Sequence, residues 1–331
     1  MTYTLQKQAM DNLFQSWSKD YLIYGPTLIK NTGRFSDTDS VRYDKLTSID
    51  QLEFDKKSDY SFKDIIFPIS EMLFSYDATG THIPEPKHQG ALVFLRACDT
   101  HALTRLDQIF LENGKPDFYY KRLRENLKIV LLPCRTSFEN CFCVSMKSNI
   151  PHQFDYALEV KDGAYILNTQ ASSLSALLKK EKTIDYTVPF VTSNTVVVEH
   201  AKKIDVAALT KSEMWREYDS RCINCGRCNL VCPTCTCWTM QDIHYSDNKS
   251  AGERRRIHAS CMVDNFDRVA GNHVYRPKNG DRMRYKTLHK VYDHKLRFGV
   301  DLCVGCGRCD DICPEYISFS NILNKVAQES K

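Results

Sequence analysis

Apolar positions in the first sixty residues predict one amphipathic helix and otherwise mixed structure. The apolar side chains that recur at helical spacing in the first twenty residues are Leu5, Met10, Leu13, Phe14 and Trp17. An apolar stretch, YLIYGP, follows, and residues 31–40 and 55–61 are polar segments typical of loops. We therefore expect residues 1–60 to form a helical and mixed segment that packs against the next domain.

Residues 61–200 alternate between short apolar segments and longer amphipathic ones. The short apolar segments, which have the composition of buried strands, are 65–69, 91–95 and 128–132. Between the last two lie HALTRLDQIFLEN and DFYYKRLRENL, which have helical periodicity and predict a right-handed crossover in a largely parallel sheet. Farther on, Asp162 and Gly163 separate two alternating runs and predict a hairpin, and SSLSALLKKEK predicts a helix. This region is therefore expected to be an α/β domain.

Four cysteines follow the second and third of these predicted strands. Cys98 comes just after the strand at 91–95, Cys134 follows the next strand, and Cys141 and Cys143 lie in the loop beyond. Ligands of open α/β sheets bind outside the carboxyl ends of the strands, so these thiols are expected to converge on one site. In addition to the two clusters assigned below to the cysteine runs, this site is expected to hold a third 4Fe-4S cluster. Free cysteine is also among the most buried residue types, and four inert thiols are the alternative.

The residues that follow Cys98 have simpler expected roles. Asp99 and Thr100 are expected to cap the helix that begins here. His101 can replace one cysteine as a ligand, although a surface or capping role is more common for such a histidine.

The strongest pattern in the chain is a pair of cysteine runs. Residues 222–237 read CINCGRCNLVCPTCTC, and residues 303–314 read CVGCGRCDDICP. Each contains C-x2-C-x2-C-x3-C-P, the spacing with which bacterial ferredoxins hold 4Fe-4S clusters, and the fourth cysteine of each run ligates the other cluster there. Gly226 and Gly307 suit the tight loop between the ligands, because glycine permits positive φ and close backbone approach.

Crossed ligation assigns eight cysteines to two clusters. The ligands expected for one cluster are Cys222, Cys225, Cys228 and Cys313. Those expected for its neighbour are Cys232, Cys303, Cys306 and Cys309. A pair of structural zinc sites is the alternative, although zinc sites usually group their cysteines in separated pairs. Cys235, Cys237 and Cys261 remain, and they can pack behind the ligands, replace one of them or hold another metal.

About seventy residues separate the two runs, far more than a compact ferredoxin needs. The basic residues of this insertion are Arg254, Arg255, Arg256, His258, Arg268, Arg276, Lys278, Arg282, Arg284, Lys286, His289, Lys290, His294, Lys295 and Arg297. Such a run is usually a solvated face, and the alternative is that some cations stabilise reduced clusters or meet an acidic partner. Residues 201–331 are thus expected to be an α+β ferredoxin-like two-cluster domain with a helical insertion, entered and closed by helices.

Composition narrows the class of protein further. The 331 residues are 42% hydrophobic and 26% charged, and the net charge of +4 is too small to indicate nucleic-acid binding. No apolar stretch has the length of a signal peptide or a transmembrane helix, so a cytoplasmic protein without membrane contact is expected. Fifteen cysteines in a reducing compartment favour metal ligation over disulfides.

Several segments together resemble the iron-sulfur electron-transfer subunit of the anaerobic sulfite reductase. They are RACDTHALTRLDQIF from Arg96, CFC from Cys141 with SMKS after it, the run from Cys222, GERRRIHASC from Gly252, VAGNHVYR from Val269 and the run from Cys303. The resemblance covers about residue 90 to the end of the chain. That family is itself similar to the ferredoxin-type β subunits of soluble sulfhydrogenases.

The resemblance implies an electron-transfer protein with no catalytic residue of its own. In that family it stands between a flavin subunit that oxidises NADH or NADPH and a siroheme subunit that reduces sulfite to sulfide. The sequence agrees, since it has no G-x-G-x-x-G after a strand and no P-loop. The β subunit of a sulfhydrogenase or hydrogenase is the alternative relay, and a regulator with structural or sensory clusters is the alternative of another class.

Overall fold

The computed structural model of the chain describes residues 1–35, 37–85, 90–170, 174–245, 247 and 249–330. The strands are β1 (Thr2–Leu5), β2 (Tyr21–Ile29), β3 (Ser40–Lys45), β4 (Ser70–Asp77), β5 (Gly80–His82), β6 (Gly90–Leu95), β7 (Leu127–Leu131), β8 (Tyr156–Lys161), β9 (Ala164–Thr169), β10 (Lys182–Ile184), β11 (Trp238–His244) and β12 (Gly252–His258). The helices are α1 (Lys7–Asp20), α2 (Ala97–Phe110), α3 (Phe118–Arg124), α4 (Ser175–Leu178), α5 (Val206–Lys211), α6 (Glu217–Arg221), α7 (Arg227–Leu230), α8 (Asn279–Leu288), α9 (His294–Phe298), α10 (Arg308–Ile312) and α11 (Phe319–Glu329). None of the helices described is both long and apolar enough to cross a bilayer.

The larger sheet has eight strands in the order β10-β1-β9-β8-β7-β6-β2-β3. Its central strands β2, β6, β7 and β8 run parallel, while the remaining pairs are antiparallel. The expected largely parallel sheet is therefore a mixed sheet with a parallel centre. The hairpin predicted at Asp162 and Gly163 joins β8 to β9, with positive φ at both residues. Since β1, β2 and β3 come from residues 1–60, the boundary expected at residue 60 falls inside this sheet.

Both faces of the central strands are buried. On β6, Leu92 and Phe94 pack with the apolar side of α1, while Val93 and Leu95 face α2 on the opposite side. Full burial of such a side chain contributes about 1.5–3 kcal/mol. Burial on two faces explains why β6 and β7 read as continuous apolar runs in the sequence.

The smaller sheet joins the cysteine-rich region to the N-terminal part of the chain. Its four strands are antiparallel in the order β11-β12-β4-β5, and β12 pairs with β4 along most of its length. Arg256 of β12 is buried, and its guanidinium donates to Glu71 at 2.8 Å and to Asp117 at 2.7 Å. The insertion expected to be helical therefore begins with a hairpin. Among the described residues of this insertion, the α-helices lie in the second half, where α8 continues through a π-helical turn (His289–Asp293) into α9.

Three predicted elements differ from the structure. The strand expected at 65–69 is wrong: a 3-10 turn (Phe62–Ile65) precedes buried Ile66 and Phe67, and strand pairing starts only at Ser70, after Pro68, which lacks a backbone donor. The helix expected before Cys222 is divided into α5, a 3-10 turn (Glu213–Trp215) and α6, because Ser212 has an extended backbone and caps the turn.

The third difference concerns the helix predicted from SSLSALLKKEK. Residues 172 and 173, where that segment begins, lie outside the described residues, and the helix found there is the short α4. The helix expected after residue 315 is present as α11, whose first turn is capped by the Ser318 hydroxyl.

Candidate iron-sulfur site

The two cysteine runs fold in the same way. In each run a loop carries the first cysteines and ends at a glycine that begins a short helix, Gly226 (φ 70°) before α7 and Gly307 (φ 71°) before α10. A Cβ at Gly307 would overlap the carbonyl oxygen of Asn140, and one at Gly305 would lie 2.6 Å from that of Phe142. Glycine is therefore required in the second run both by positive φ and by the loop that packs against it.

The eight cysteines of the runs line two adjoining cavities. The cysteines expected for one cluster, which line what we term the outer cavity, are Cys222, Cys225, Cys228 and Cys313. Those expected for the other, which line the inner cavity, are Cys232, Cys303, Cys306 and Cys309. Each cavity is thus lined by three cysteines of one run and two of the other. The two cavities share Cys228 and Cys309 in their walls, so they lie side by side.

The donor set of these cavities fits polynuclear iron-sulfur clusters. Their walls carry the thiols of eight cysteines, and cysteine thiolates are the ligands that hold 4Fe-4S clusters. Backbone N-H groups point at the sulfurs: that of Gly305 donates to Cys303 Sγ at 3.5 Å and that of Ile317 to Cys313 Sγ at 3.4 Å. Such hydrogen bonds to sulfur are one means by which proteins tune cluster potentials.

Three of the four inner thiols favour their protonated form, whereas a hydrogen bond from the Cys235 thiol lowers the pKa of Cys232 well below its usual value. Burial raises the pKa of Cys303 to about 12 and that of Cys306 to about 11. Because thiolate is the ligand, iron bound here would displace these protons. Clusters bound in the two cavities would supply one-electron redox chemistry.

Two buried lysines of the basic insertion face the cavities. Lys286 lines both cavities, and Lys290 lines the inner one, where its ammonium donates to Thr234 Oγ1 at 2.7 Å. Burial acts to lower the pKa of each lysine, but the neighbouring thiols together outweigh it, so both pKa values are raised. The thiols concerned are chiefly Cys228 and Cys309 for Lys286, and Cys232 for Lys290. For these two residues the expected solvated face is wrong. Their positive charge is placed to offset thiolate ligands.

The four cysteines predicted to hold a third cluster lie near one another and beside the inner cavity. We term them the N-terminal thiol group: Cys98, Cys134, Cys141 and Cys143. They lie where adjacent parallel strands β6 and β7 end, as the strand-end argument predicts. Burial, with smaller contributions from the nearby thiols of Cys141 and Cys134, raises the pKa of Cys143 to about 11. Burial likewise raises the pKa of Cys98, with Cys143 among the lesser causes.

The N-terminal thiol group touches the inner cavity directly. Cys141 Sγ donates to the carbonyl oxygen of Cys306 at 3.4 Å. The Lys57 ammonium lies 3.7 Å from Cys141 Sγ, donates to the same Cys306 carbonyl at 3.1 Å and pairs with Asp311 at 2.5 Å. The thiol group, the inner cavity and the outer cavity therefore follow one another in a row.

Other residues at the site carry no recognisable sequence pattern. Buried Lys63 donates to the carbonyl oxygens of Cys235 at 3.0 Å and Asn229 at 3.3 Å, and so ties the 3-10 turn of the N-terminal part to the first run. Lys57 and Lys63 are far from both runs along the chain, so only the fold reveals their roles. Asp99 accepts from the Arg96 N-H as a cap, but it also pairs with Arg308 of the second run.

His101 is neither exposed nor a ligand of a thiol set. It is buried, its Nε2 lies 2.6 Å from the carbonyl oxygen of Ile150, and its Nδ1 accepts from Arg105 at 3.2 Å. Burial lowers its pKa to about 4, so the ring is neutral. The expected surface position of His101 is therefore wrong.

The three remaining cysteines lie behind the cavities. Cys235 hydrogen-bonds the thiol of Cys232, and Cys237 hydrogen-bonds that of Cys261. Asn229 Nδ2 lies 3.1 Å from Cys261 Sγ. None of these three lines either cavity.

Comparison with known proteins agrees with this geometry. The family model described as "4Fe-4S dicluster domain" matches residues 221–317, which include both cysteine runs. Over 332 aligned residues the chain is 29% identical to Sulfhydrogenase 2 subunit beta of Pyrococcus furiosus, and the alignment covers 92% of each chain. The chain thus carries a match to a dicluster iron-sulfur domain and is similar to a sulfhydrogenase β subunit. The alignment covers 92% of this chain, which is a larger share than residues 90–331 make up. The similarity to that β subunit therefore also includes part of residues 1–89.

Proposed function

We propose that this chain is the iron-sulfur electron-transfer subunit of a cytoplasmic anaerobic sulfite reductase. It would relay electrons from a flavin subunit that oxidises NADH or NADPH to a siroheme subunit that reduces sulfite to sulfide. The observation that carries the proposal is the row of three thiol sets. A relay needs redox centres next to one another, whereas a single structural centre does not.

Within this proposal, each set of thiols holds one 4Fe-4S cluster. The outer and inner cavities take the two clusters of the crossed assignment, and the N-terminal thiol group takes the third. The convergence of Cys98 and Cys134 at neighbouring strand ends supports the third cluster, as does the close approach of Cys141 to Cys306. The chain's own contribution is to hold these groups, to exclude water and to set their potentials through buried cations and N-H donors.

The terminal acceptor distinguishes two candidate functions. The motifs quoted above, from Arg96 to the run at Cys303, favour a sulfite-reducing partner. The likeness to the P. furiosus β subunit over nearly its whole length favours a sulfhydrogenase as the second candidate. Both candidates use the same relay, so the difference lies in the partner subunits.

Reconstitution with partner subunits tests the proposal. The anaerobically purified chain should be coloured, and dithionite should bleach it. NADH or NADPH should bleach it only when the flavin subunit is present. Complete complexes should then form sulfide from sulfite, while hydrogen evolution without sulfite reduction would select the second candidate. A colourless chain that carries zinc would refute both.

A further inference from the structure

One cluster ligand is open to solvent. All fifteen cysteines lie in the described part of the chain, and Cys225 is the only one of them that is exposed. It stands at one end of the row of thiol sets, in the outer cavity, and also forms part of the wall of an open groove on the surface. Electrons that reach the outer cavity therefore have their shortest route to another protein at Cys225.

Several large apolar side chains are exposed on the surface around Cys225. The exposed large apolar side chains of the groove and its rim are Ile223 (56%), Leu230 (38%), Trp238 (43%), Met240 (43%) and Val263 (39%). Contiguous exposed apolar side chains commonly mark an interaction site. Trp238 and Met240 lie on β11, a seven-residue edge strand whose outer side pairs with no strand among the described residues. An open edge of this kind is itself a surface on which another chain can dock.

The two runs differ in one charge contact that points to the chemistry of the partner. Arg308 in the second run is buried and paired with Asp99. Arg227 occupies the equivalent position of the first run, is exposed, and has no acidic partner among the residues that the structure describes. Arg268, near the same groove, contacts Asn265 and likewise lacks a carboxylate partner in the described ranges. Two arginines without a carboxylate partner in the described ranges thus lie beside the groove, and the one carboxylate in its wall, that of Asp264, is already paired with Arg282.

We propose that the groove beside Cys225 is the docking surface for a redox protein partner that presents carboxylates around its own electron carrier. This rests on the proposed relay function and adds the place where electrons enter or leave it. The partner's apolar contact would cover Trp238 and Val263, and one of its carboxylates would meet Arg227 as Asp99 meets Arg308. In each encounter the partner loses or gains one electron, and this chain gains or loses the same electron.

The test measures electron transfer from a small acidic flavoprotein, reduced flavodoxin, to the oxidised holo chain by stopped flow. The variants are Arg227→Glu and Trp238→Ala. Their matched controls are Arg34→Glu and Phe35→Ala, which are exposed and do not line the groove. We expect roughly a tenfold or greater fall in the second-order rate constant at low salt for Arg227→Glu, and a smaller salt dependence than in the wild type. Trp238→Ala should lower the rate at every salt concentration, and the controls should leave it unchanged.

Iron content and reduction by dithionite separate the possible failures. Variants that keep wild-type iron and dithionite-reducible spectra but lose rate with flavodoxin support the docking surface. Equal rates in the wild type and both groove variants would overturn the docking surface and leave the proposed relay intact. A wild type that is reduced by dithionite but not by flavodoxin would have the same meaning. A wild-type chain without iron would instead overturn the proposed function.

Discussion

Arg308 and Asp99 form a buried, two-pronged ion pair that joins the second cysteine run to the N-terminal α/β region. Nη1 and Nη2 donate to the two carboxylate oxygens at 2.7 and 3.1 Å, and the side chains are 1% and 0% exposed. The same guanidinium donates to the carbonyl and hydroxyl oxygens of Ser58 at 3.0 Å each. Since Asp99 directly follows Cys98, this pair fixes the N-terminal thiol group against the inner cavity.

Removal of one member of this pair should destabilise the protein strongly. Asp99→Ala leaves a buried guanidinium without its carboxylate, and we expect a loss of about 3–5 kcal/mol in the free energy of unfolding. The double variant Asp99→Leu, Arg308→Met should recover part of that loss, because no buried charge remains. Urea unfolding of the holo chain measures both. Glu217→Ala, which breaks partly exposed pairs with Lys325 and Arg221, is the control and should cost about 1 kcal/mol or less.

Iron content tests the third cluster. The purified holo chain should hold about twelve irons if all three thiol sets carry 4Fe-4S clusters, and Cys134→Ser should lower that number to about eight. Cys261→Ser, which changes a cysteine outside both cavities, should keep about twelve. Eight irons in the wild type would remove the third cluster and leave the other two.

Crossed ligation can be tested with one substitution in each run. Cys232→Ser should damage the cluster of Cys303, Cys306 and Cys309 more than that of its sequence neighbours, because its thiol lines the inner cavity. Cys313→Ser should instead damage the cluster of Cys222, Cys225 and Cys228 more than that of its own sequence neighbours, because its thiol lines the outer cavity. Electron paramagnetic resonance of the reduced variants distinguishes the two centres. Loss of the cluster nearer in sequence in both variants would contradict the crossed assignment.

The buried lysines should raise the cluster potentials. Lys286→Met removes a positive charge from the wall shared by both cavities, and since reduction adds negative charge, both midpoint potentials should fall by roughly 40–80 mV. Lys290→Met should lower chiefly the potential of the inner centre, whose wall it forms. Lys295→Met changes a half-exposed lysine and should shift neither. Redox titration followed by spectroscopy would show equal potentials in all variants if this account were wrong.

Two neutral histidines predict a loss of stability in mild acid. Burial lowers the pKa of His101 and His258 to about 4, whereas the unfolded chain titrates near 6.5. Between these values the unfolded state binds more protons, so the free energy of unfolding should decrease as pH falls from about 6.5 toward 4. Denaturant unfolding at pH 7.5 and 5.5 measures this. His101→Gln should reduce the difference between the two pH values, and an unchanged difference would argue against a buried neutral ring.

Local patterns were sufficient for part of the fold and most of the candidate ligands. The strands β6 and β7 were predicted because both faces are buried, and the β8–β9 hairpin because Asp162 and Gly163 accept positive φ. The grouping of Cys232 with the second run was predicted from spacing alone, because the four-residue step turns that side chain away from its neighbours. The strand predicted at 65–69 was wrong, because Ile66 and Phe67 are buried in the segment that follows a 3-10 turn and not in a strand.

The sequence by itself determined the two cysteine runs and the strand ends at which Cys98 and Cys134 stand, and it predicted the crossed ligation. These features depend on the spacing of residues within short segments. The backbone geometry of a loop or strand fixes where side chains at a given spacing lie. The tertiary structure alone decided which of many similar cations are buried, and it made Arg227 and Arg308 different although both stand in the same CGRC motif. That difference arises because burial and ion pairing depend on segments distant in sequence, such as Asp99 and Ser58, which only folding brings to the second run.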